Sequence, residues 1–278
     1  DLRKIVNTIL ERDRKKLELL NKQLKDTKKR ENYKIYGELI NAYGYEIKEG
    51  AKSFTALNYY TNEEITIPLD ETLSVRENSV RYFERYNKLK RTFEATNKLL
   101  LEVSAELAHL ESIANALDIA LYEEDLAQIK AELTESGYIK RKGTAKKERF
   151  TSRPFHYISS DGFHIYVGKN NFQNEELSFQ LAAGGDWWFH AKEIPGSHVI
   201  VKTNGKELPD RTFEEAAALA AHYSKGRAQE KVEVDYTLRK HLKKPNAAKP
   251  GFVIYHTNYS MVISPDIERF EGLKPVTD

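Results

Sequence analysis

Apolar residues three and four positions apart recur through residues 73–121 and predict one long helix. After Tyr82 the spacing holds for several heptads with one gap, at Thr96, and neither Gly nor Pro interrupts it. A heptad repeat of this length is typical of a coiled coil, and the helix would be roughly 70 Å long. The repeat consists of Val75, Tyr82, Tyr86, Leu89, Phe93, Leu100, Val103, Leu107, Leu110, Ala114 and Leu117.

A second apolar stripe in the first 42 residues predicts the partner of this helix within the same chain. The stripe continues after a Lys/Arg-rich stretch at residues 25–30, so we expect an antiparallel helical hairpin over residues 1–137. Its members are Leu2, Val6, Ile9, Leu17, Leu20, Leu24, Ile35, Leu39 and Ala42.

The turn of this hairpin, about residues 44–72, has strand character. Residues 53–60 and 64–69 alternate or are β-branched, which predicts a small β-hairpin with Pro68 near its end. Aromatic residues either pack this tip onto the helix ends or dock on a partner. They are Tyr43, Tyr45, Phe54, Tyr59 and Tyr60.

The remainder of the chain predicts an α+β domain over residues 154–278. A short helix, Glu123 to Glu135, stops at Ser136–Gly137, and a basic stretch at 138–153 is predicted to be a linker. One helix is expected from Thr212 to Ser224, capped by Asp210 or Thr212. Strands are predicted at 154–158, 163–167, 177–181, 186–191, 197–202, 232–237, 252–256 and 259–263.

Residues 186–190 alternate in chemistry as well as in face. In a strand, Asp186, Trp188 and His190 share one face, while Trp187 and Phe189 form an apolar opposite face. The following Pro195–Gly196 predicts a type II turn with positive φ at the glycine. We therefore expect Asp186, His190, Ser197 and His198 to lie close together.

Three interpretations of this cluster remain open. It is a catalytic site with Ser as nucleophile and His as base, although no acyl-transfer motif accompanies it. It is a metal site of two His and one Asp, although the spacings match no known pattern. Or it is structural or RNA-contacting, with His and Asp fixing the turn and Trp188 half buried or stacked on a base.

Charge is balanced in total and uneven along the chain. The net charge is +2, but residues 1–34 hold 12 Lys/Arg against 6 Asp/Glu and residues 225–249 hold 8 against 3. Residues 62–135 are acidic, with 8 against 16. Clustered basic residues indicate either a polyanion-binding surface or an ordinary solvated face.

Zero cysteines exclude disulfides and thiolate metal sites. No apolar run reaches the ~20 residues of a membrane helix, and no signal pattern opens the chain, which predicts a cytoplasmic protein without membrane insertion. The only methionine is Met261. We expect a C-terminal fragment of a longer protein.

Several separated motifs resemble the C-terminal RNA-binding domain of the NFACT family, and the resemblance is strong over residues 150–265. They include Asp186-Trp-Trp-Phe-His-Ala-Lys-Glu-Ile-Pro-Gly-Ser-His-Val199, Gly168-Lys-Asn-Asn171 with Asn174, and the small-residue helix Ala216–Arg227. Closing segments 234–237, 243–246 and 249–253 follow in the family's order. The chain departs from the family at Asn174-Glu-Glu-Leu-Ser178 and at Ala247-Ala248.

The resemblance implies a non-enzymatic ribosome quality-control factor without metal or cofactor. Its partners would be the large ribosomal subunit, through rRNA and a stalk-base protein, and tRNA, and its role would be alanine tailing of stalled nascent chains. Fibronectin binding by a cell-surface adhesin lacking a signal peptide is the alternative. The candidate RNA-binding residues are Lys169, Asn170, Asn171, Asn174, Asp186, Trp188, His190, Lys192, Ser197, His198, Lys225, Arg227, Lys243 and Lys244.

Overall fold

The computed structural model describes residues 1–143 and 149–277 and divides into two compact units. One unit is residues 11–106, and the other combines residues 1–10 with the described residues from 107 onward. Of the basic stretch predicted as a linker, residues 144–148 lie outside the described residues.

The first three helices follow the apolar repeats, and the short helix Asn171–Glu176 was not predicted. They are α1 (Leu2–Asp26), α2 (Arg30–Tyr43), α3 (Val75–Ile119), α4 (Glu123–Glu135), α5 (Asn171–Glu176) and α6 (Asp210–His222). A single 3-10 turn, Thr27–Lys29, separates α1 from α2. The hairpin of α1–α2 against α3 and the α+β class are as predicted.

Within residues 11–106, helix α3 packs antiparallel to the first two helices along its heptad repeat. The Arg30 guanidinium lies 4.0 Å from the Phe93 ring centre, and Tyr33 stacks on Tyr82 at 5.9 Å. Thr96, at the gap in the repeat, is buried and continues the seam. Ala42 is exposed, so its assignment to the apolar stripe is wrong.

The predicted β-hairpin is present at the turn of this unit. Strands β1 (Ser53–Asn58) and β2 (Glu63–Pro68) pair antiparallel, with Ser53 opposite Pro68. Phe54 and Tyr43 pack on the core formed by α2, α3 and the hairpin. Tyr45, Tyr59 and Tyr60 remain exposed, so the tip aromatics divide between packing and surface.

The second unit contains a seven-stranded antiparallel sheet in the order β8-β7-β5-β6-β4-β3-β9. The strands are β3 (Phe155–Ile158), β4 (His164–Val167), β5 (Trp187–Ala191), β6 (Val199–Val201), β7 (Val232–Leu238), β8 (Tyr259–Ile263) and β9 (Lys274–Pro275). Helix α6 covers one face, and its run of buried alanines brings it close to the strands.

Two predicted strands are absent. Residues 177–181 form a π-helical turn, because the helix that begins at Asn171 continues through them and buries Leu177 and Ser178 rather than alternate residues. Residues 252–256 form no strand, since only Ile254 bridges to Lys243.

The predicted cap of helix α6 is also wrong. The helix begins at Asp210 with Pro209 in the cap position and no side-chain cap. Thr212 instead donates to Asp161 at 2.8 Å.

Among residues 1–143 and 149–277, no helix combines the length and the apolar character needed to cross a bilayer.

Candidate nucleic-acid interface

Strand β5 has two chemically different faces, as its alternation predicts. Trp187 and Phe189 pack against Phe213 of α6, with ring centroids 4.9 and 6.2 Å apart. Trp188 points to the opposite face and is 1% exposed. His190 stacks on Trp188 at 5.6 Å with ring planes 9° apart. Trp188 is therefore a core side chain rather than a ring offered to solvent.

His198 completes this aromatic cluster. Its ring lies edge-on to Trp188 at 5.3 Å and to His190 at 5.5 Å. Its Nδ1 is 2.7 Å from Ser178 Oγ, and its backbone N–H donates to Asn174 Oδ1 at 3.1 Å. Burial, followed by the neighbouring His190, lowers the pKa of His198 well below its ordinary value. Burial also lowers the pKa of His190, so both imidazoles are neutral at pH 7.

Asp186 does not join the histidines, which corrects the predicted cluster. The antiparallel register pairs Trp188 with Ile200, so His190 lies opposite His198 while Asp186 lies two residues away on the other side of Trp188. There Asp186 Oδ1 accepts from Thr203 N at 2.9 Å, and Oδ2 accepts from Lys202 Nζ at 2.6 Å.

The hydrogen bonds of Asp186 explain the direction in which the pKa of its carboxyl is shifted. Burial alone would raise the pKa of this carboxyl, but the bonds from Lys202 and from the Thr203 and Ala183 amides outweigh it and lower the pKa. Because its oxygens are occupied in this way, Asp186 does not orient either histidine.

The geometry of the cluster therefore does not support its catalytic and metal interpretations. Ser197 Oγ is buried without a hydrogen-bond partner among the described residues, so it forms no chain with His and Asp. In the part of the chain that the structure describes, no three His, Asp or Glu side chains are grouped to hold a metal ion.

The turn between β5 and β6 also differs from the prediction. The positive φ belongs to Glu193, at 57°, and not to Gly196. Gly196 instead bridges to Ser224, and a Cβ at this position would lie 3.0 Å from Ser224 Cβ. The glycine permits a close approach of two backbones rather than a type II turn.

The asparagine motif begins a helix and faces inward. Asn170 caps α5 by accepting from Gln173 N at 3.0 Å, and its amide donates to Gln128 Oε1 of α4 at 2.8 Å. Asn171 donates to Glu132 Oε1 of α4 at 2.7 Å. These amides therefore bind the sheet domain to α4, although Asn170 and Asn171 were candidates for binding RNA.

Lys169 belongs to the same internal network. Its Nζ lies 3.2 Å from Asp125 Oδ1, and its side chain is 11% exposed against 1% for Asp125. Burial would raise the pKa of Asp125, but hydrogen bonds from Ser152 and the Leu121 amide, together with Lys169, lower it. This candidate RNA-binding lysine is thus held by a buried carboxylate.

Sequence reasoning missed the polar partners of this network on α3 and α4. His109 Nε2 lies 3.0 Å from Glu132 Oε1, and Asn171 also donates to Ser112 Oγ at 2.8 Å. Buried polar side chains on helices resemble surface residues in sequence.

Most of the remaining basic candidates form ion pairs at or near the surface. Lys192 pairs with Glu233 at 3.0 Å and Lys225 with Glu111 at 4.0 Å, and Lys244 pairs with Glu175. Arg227 lies 3.6 Å from Asp118 and donates to Asn115. Lys243 is exposed. Exposed pairs of this kind are weak, so phosphate can replace the carboxylate partner.

Comparison with known proteins places both halves of the chain in one family. The NFACT N-terminal and middle domains match residues 1–151, and the NFACT protein RNA binding domain matches residues 153–257. The chain belongs to the NFACT family, as its motifs indicated.

Individual relatives agree with this assignment. The chain is 38% identical to the Rqc2 homolog RqcH of Streptococcus suis over 99% of its own length and 49% of the relative. It is 36% identical to the Bacillus subtilis Rqc2 homolog RqcH over 99% of its length and 48% of the relative. The chain thus spans about half the length of the curated relatives it matches.

A solved structure has the same fold. The C-terminal part of the fibronectin/fibrinogen-binding protein from Streptococcus suis superimposes with a TM-score of 0.74 at 34% identity, covering 98% of this chain and 96% of that one.

Proposed function

We propose that this chain is part of a ribosome-associated quality-control factor that binds RNA through its sheet domain. The observation that carries the proposal is the match of the NFACT RNA binding domain to residues 153–257, in a chain that aligns with RqcH proteins over nearly its whole length. Exposed basic residues on that domain, including Lys225 and Lys243, supply the charge for a polyanion.

We also propose a finer role, which is the one that the family resemblance implies. The partners are the large ribosomal subunit, with its rRNA and stalk-base protein, and tRNA, and the outcome is alanine tailing of stalled nascent chains. In this proposal the chain contributes binding, and the ribosome performs peptidyl transfer. The protein works in the cytoplasm.

The first test is binding of the chain to purified large ribosomal subunits across a salt series. We expect saturable binding that persists at physiological salt and weakens steadily above it, because phosphate contacts release counterions. Binding that vanishes at physiological salt, or that never saturates, would contradict the proposal.

A second candidate function is fibronectin binding, which rests on the name of the structurally similar Streptococcus suis protein. Intact fibronectin is therefore measured in parallel. Saturable fibronectin binding without subunit binding would favour the adhesin function over the ribosomal one.

A further inference from the structure

A second aromatic surface lies on the same face of the sheet as the buried Trp188 cluster and borders it through Tyr166. The His156 ring lies 4.4 Å from the Tyr166 ring with planes 14° apart, and 4.9 Å from the His164 ring. His156 Nε2 and His164 Nδ1 are 2.7 Å apart. His156 therefore stacks on Tyr166 and meets His164 edge to edge, and these three rings, on the adjacent strands β3 and β4, are here called the histidine stack.

The strand register explains why these rings meet and why they face outward. His156 lies opposite Tyr166, and Ile158 opposite His164. The alternate residues Tyr157 and Ile165 are buried beneath α6, so the histidine stack lies on the other face of the sheet.

In the part of the chain that the structure describes, most of that other face is covered, but its β3–β4 end is partly open. Phe179, Val253 and Tyr255 pack over Trp188 in the middle of the sheet. At the β3–β4 end, His164 is exposed and the rings of His156 and Tyr166 are partly exposed. The open end therefore presents flat aromatic surface to a ligand.

Lysines lie on both sides of the histidine stack, on strand β9 and directly after strand β6. Lys274 of β9 lies opposite Ile158, and the Lys202 amide donates to His164 O at 3.0 Å. Lys202 and Lys206 line an adjoining surface pocket of about 580 Å³, which Glu207 and Asp186 also line.

Two nearby carboxylates already have hydrogen-bond partners within the protein. Asp161, in the turn between β3 and β4, accepts a hydrogen bond from Thr212 of α6 at 2.8 Å, and Asp186 is already occupied by the Thr203 amide and Lys202. Lysines beside flat rings, with few free acids, favour a polyanion that carries planar groups.

We propose that the histidine stack is a base-stacking platform for single-stranded RNA, with Lys206 and Lys274 contacting the adjacent phosphates. The proposal rests on the proposed RNA-binding function and specifies its ligand as unpaired RNA. Aromatic side chains stack on any exposed base, whereas a duplex hides its base faces. All three rings lie within the residues that match the RNA binding domain.

The test measures affinity for a short adenosine-rich single-stranded RNA and for a duplex of the same length. The variants are His164→Ala and the double variant His156→Ala/His164→Ala. We expect the double variant to lose about tenfold or more in single-strand affinity while its salt slope is unchanged, because stacking is lost and phosphate contacts are kept. Duplex affinity stays the same. His164→Phe, which keeps a flat ring, retains most of the single-strand affinity.

Two controls separate stacking from folding and from charge. His256→Ala removes another exposed histidine of the same domain and should bind as the unmodified chain does. A fluorescent adenine analogue in the RNA should be quenched by the unmodified chain and not by the double variant. All variants should keep the same thermal unfolding temperature within a few degrees.

The outcomes distinguish this proposal from the ribosomal one. Unchanged single-strand affinity in the double variant, or no single-strand binding by the unmodified chain, overturns the platform, whatever the ribosomal subunits do. Loss of single-strand binding in the variant alongside no subunit binding supports the platform and contradicts the ribosomal role. Displacement of RNA by an acidic peptide without quenching would assign the surface to a protein partner and overturn the platform.

Discussion

At the scale of the residue, the asparagine motif depends on Gly168. A Cβ at this position would lie 2.0 Å from Asn174 Oδ1 and 3.0 Å from the Asn174 backbone nitrogen. Gly168→Ala therefore has to displace the amide that accepts the His198 N–H. We expect a loss of about 1–3 kcal/mol in the free energy of unfolding.

Urea unfolding followed by tryptophan fluorescence measures this loss. Both tryptophans, Trp187 and Trp188, belong to β5, so the signal reports the sheet domain. The matched control is Gly184→Ala, whose new Cβ would lie at an ordinary 3.6 Å from Lys240 Cβ. Equal effects of the two substitutions would refute the steric explanation.

His198 gives the sheet domain a pH-dependent stability. Its pKa is lowered in the folded protein, so the unfolded chain binds a proton more readily. The stabilisation is complete above the unfolded pKa of about 6.5 and is lost as the pH falls below it, by about 1.4 kcal/mol per pH unit for one proton.

The measurement is the free energy of unfolding from neutral to mildly acidic pH. In His198→Asn the free energy of unfolding should fall less steeply as the pH decreases. The slope should differ by the amount that corresponds to about one bound proton, whatever the stability of the variant at neutral pH. His256→Gln, at an exposed histidine, should leave the dependence unchanged. A His198 variant with the original slope would show that this imidazole is not the proton-linked group.

At the scale of the element, the Asp125–Lys169 pair fastens α4 to the start of α5. Asp125→Ala leaves the Lys169 ammonium buried without its carboxylate, and we expect a cost of about 3–5 kcal/mol. The double variant Asp125→Ala/Lys169→Met should lose about 1–3 kcal/mol less in the free energy of unfolding than the sum of the losses in the two single variants. Tryptophan-monitored urea unfolding provides the four free energies.

The exposed pair Lys192–Glu233 is the control for burial. Its side chains are 36% and 48% exposed, so a parallel double-mutant cycle should give a coupling below about 1 kcal/mol. If both cycles gave the same small coupling, Asp125 would be an ordinary helix-capping residue and not an anchor.

Elements with a long-range repeat were predictable, and local alternation was less reliable. The heptads define α3, and strict alternation gives β5 its two faces. Leu177, Phe179 and Leu181 also alternate, yet the structure buries Leu177 and Ser178 and exposes Leu181. The cap at Asn170 carries the helical conformation into this segment, and Ser178 then reaches His198, a tertiary contact without a local signal.

For the candidate site, the sequence predicts which face of a strand each side chain lies on, but not which residues of the neighbouring strand lie opposite. Alternation placed His190 and Trp188 on one face correctly, but the position of Asp186 depended on which residue of β6 lies opposite it. That register follows from strand pairing. Predicting that His156 stacks on Tyr166 likewise requires the register of β3 against β4.

At the scale of the whole molecule, RNA affinity should depend on where positive charge lies rather than on its total. Lys243→Glu/Lys244→Glu reverses two exposed charges beside α5, one of them paired with Glu175. If each lysine contacts one phosphate, the slope of log affinity against log salt should fall in magnitude by about 1.4 for single-stranded RNA. Lys88→Glu/Lys90→Glu makes the same change in net charge within the acidic stretch of residues 62–135 and should leave the slope as it is. Equal slopes for the two double variants would mean that the chain attracts RNA through its net charge, and Lys243 and Lys244 would lose their assignment as phosphate contacts.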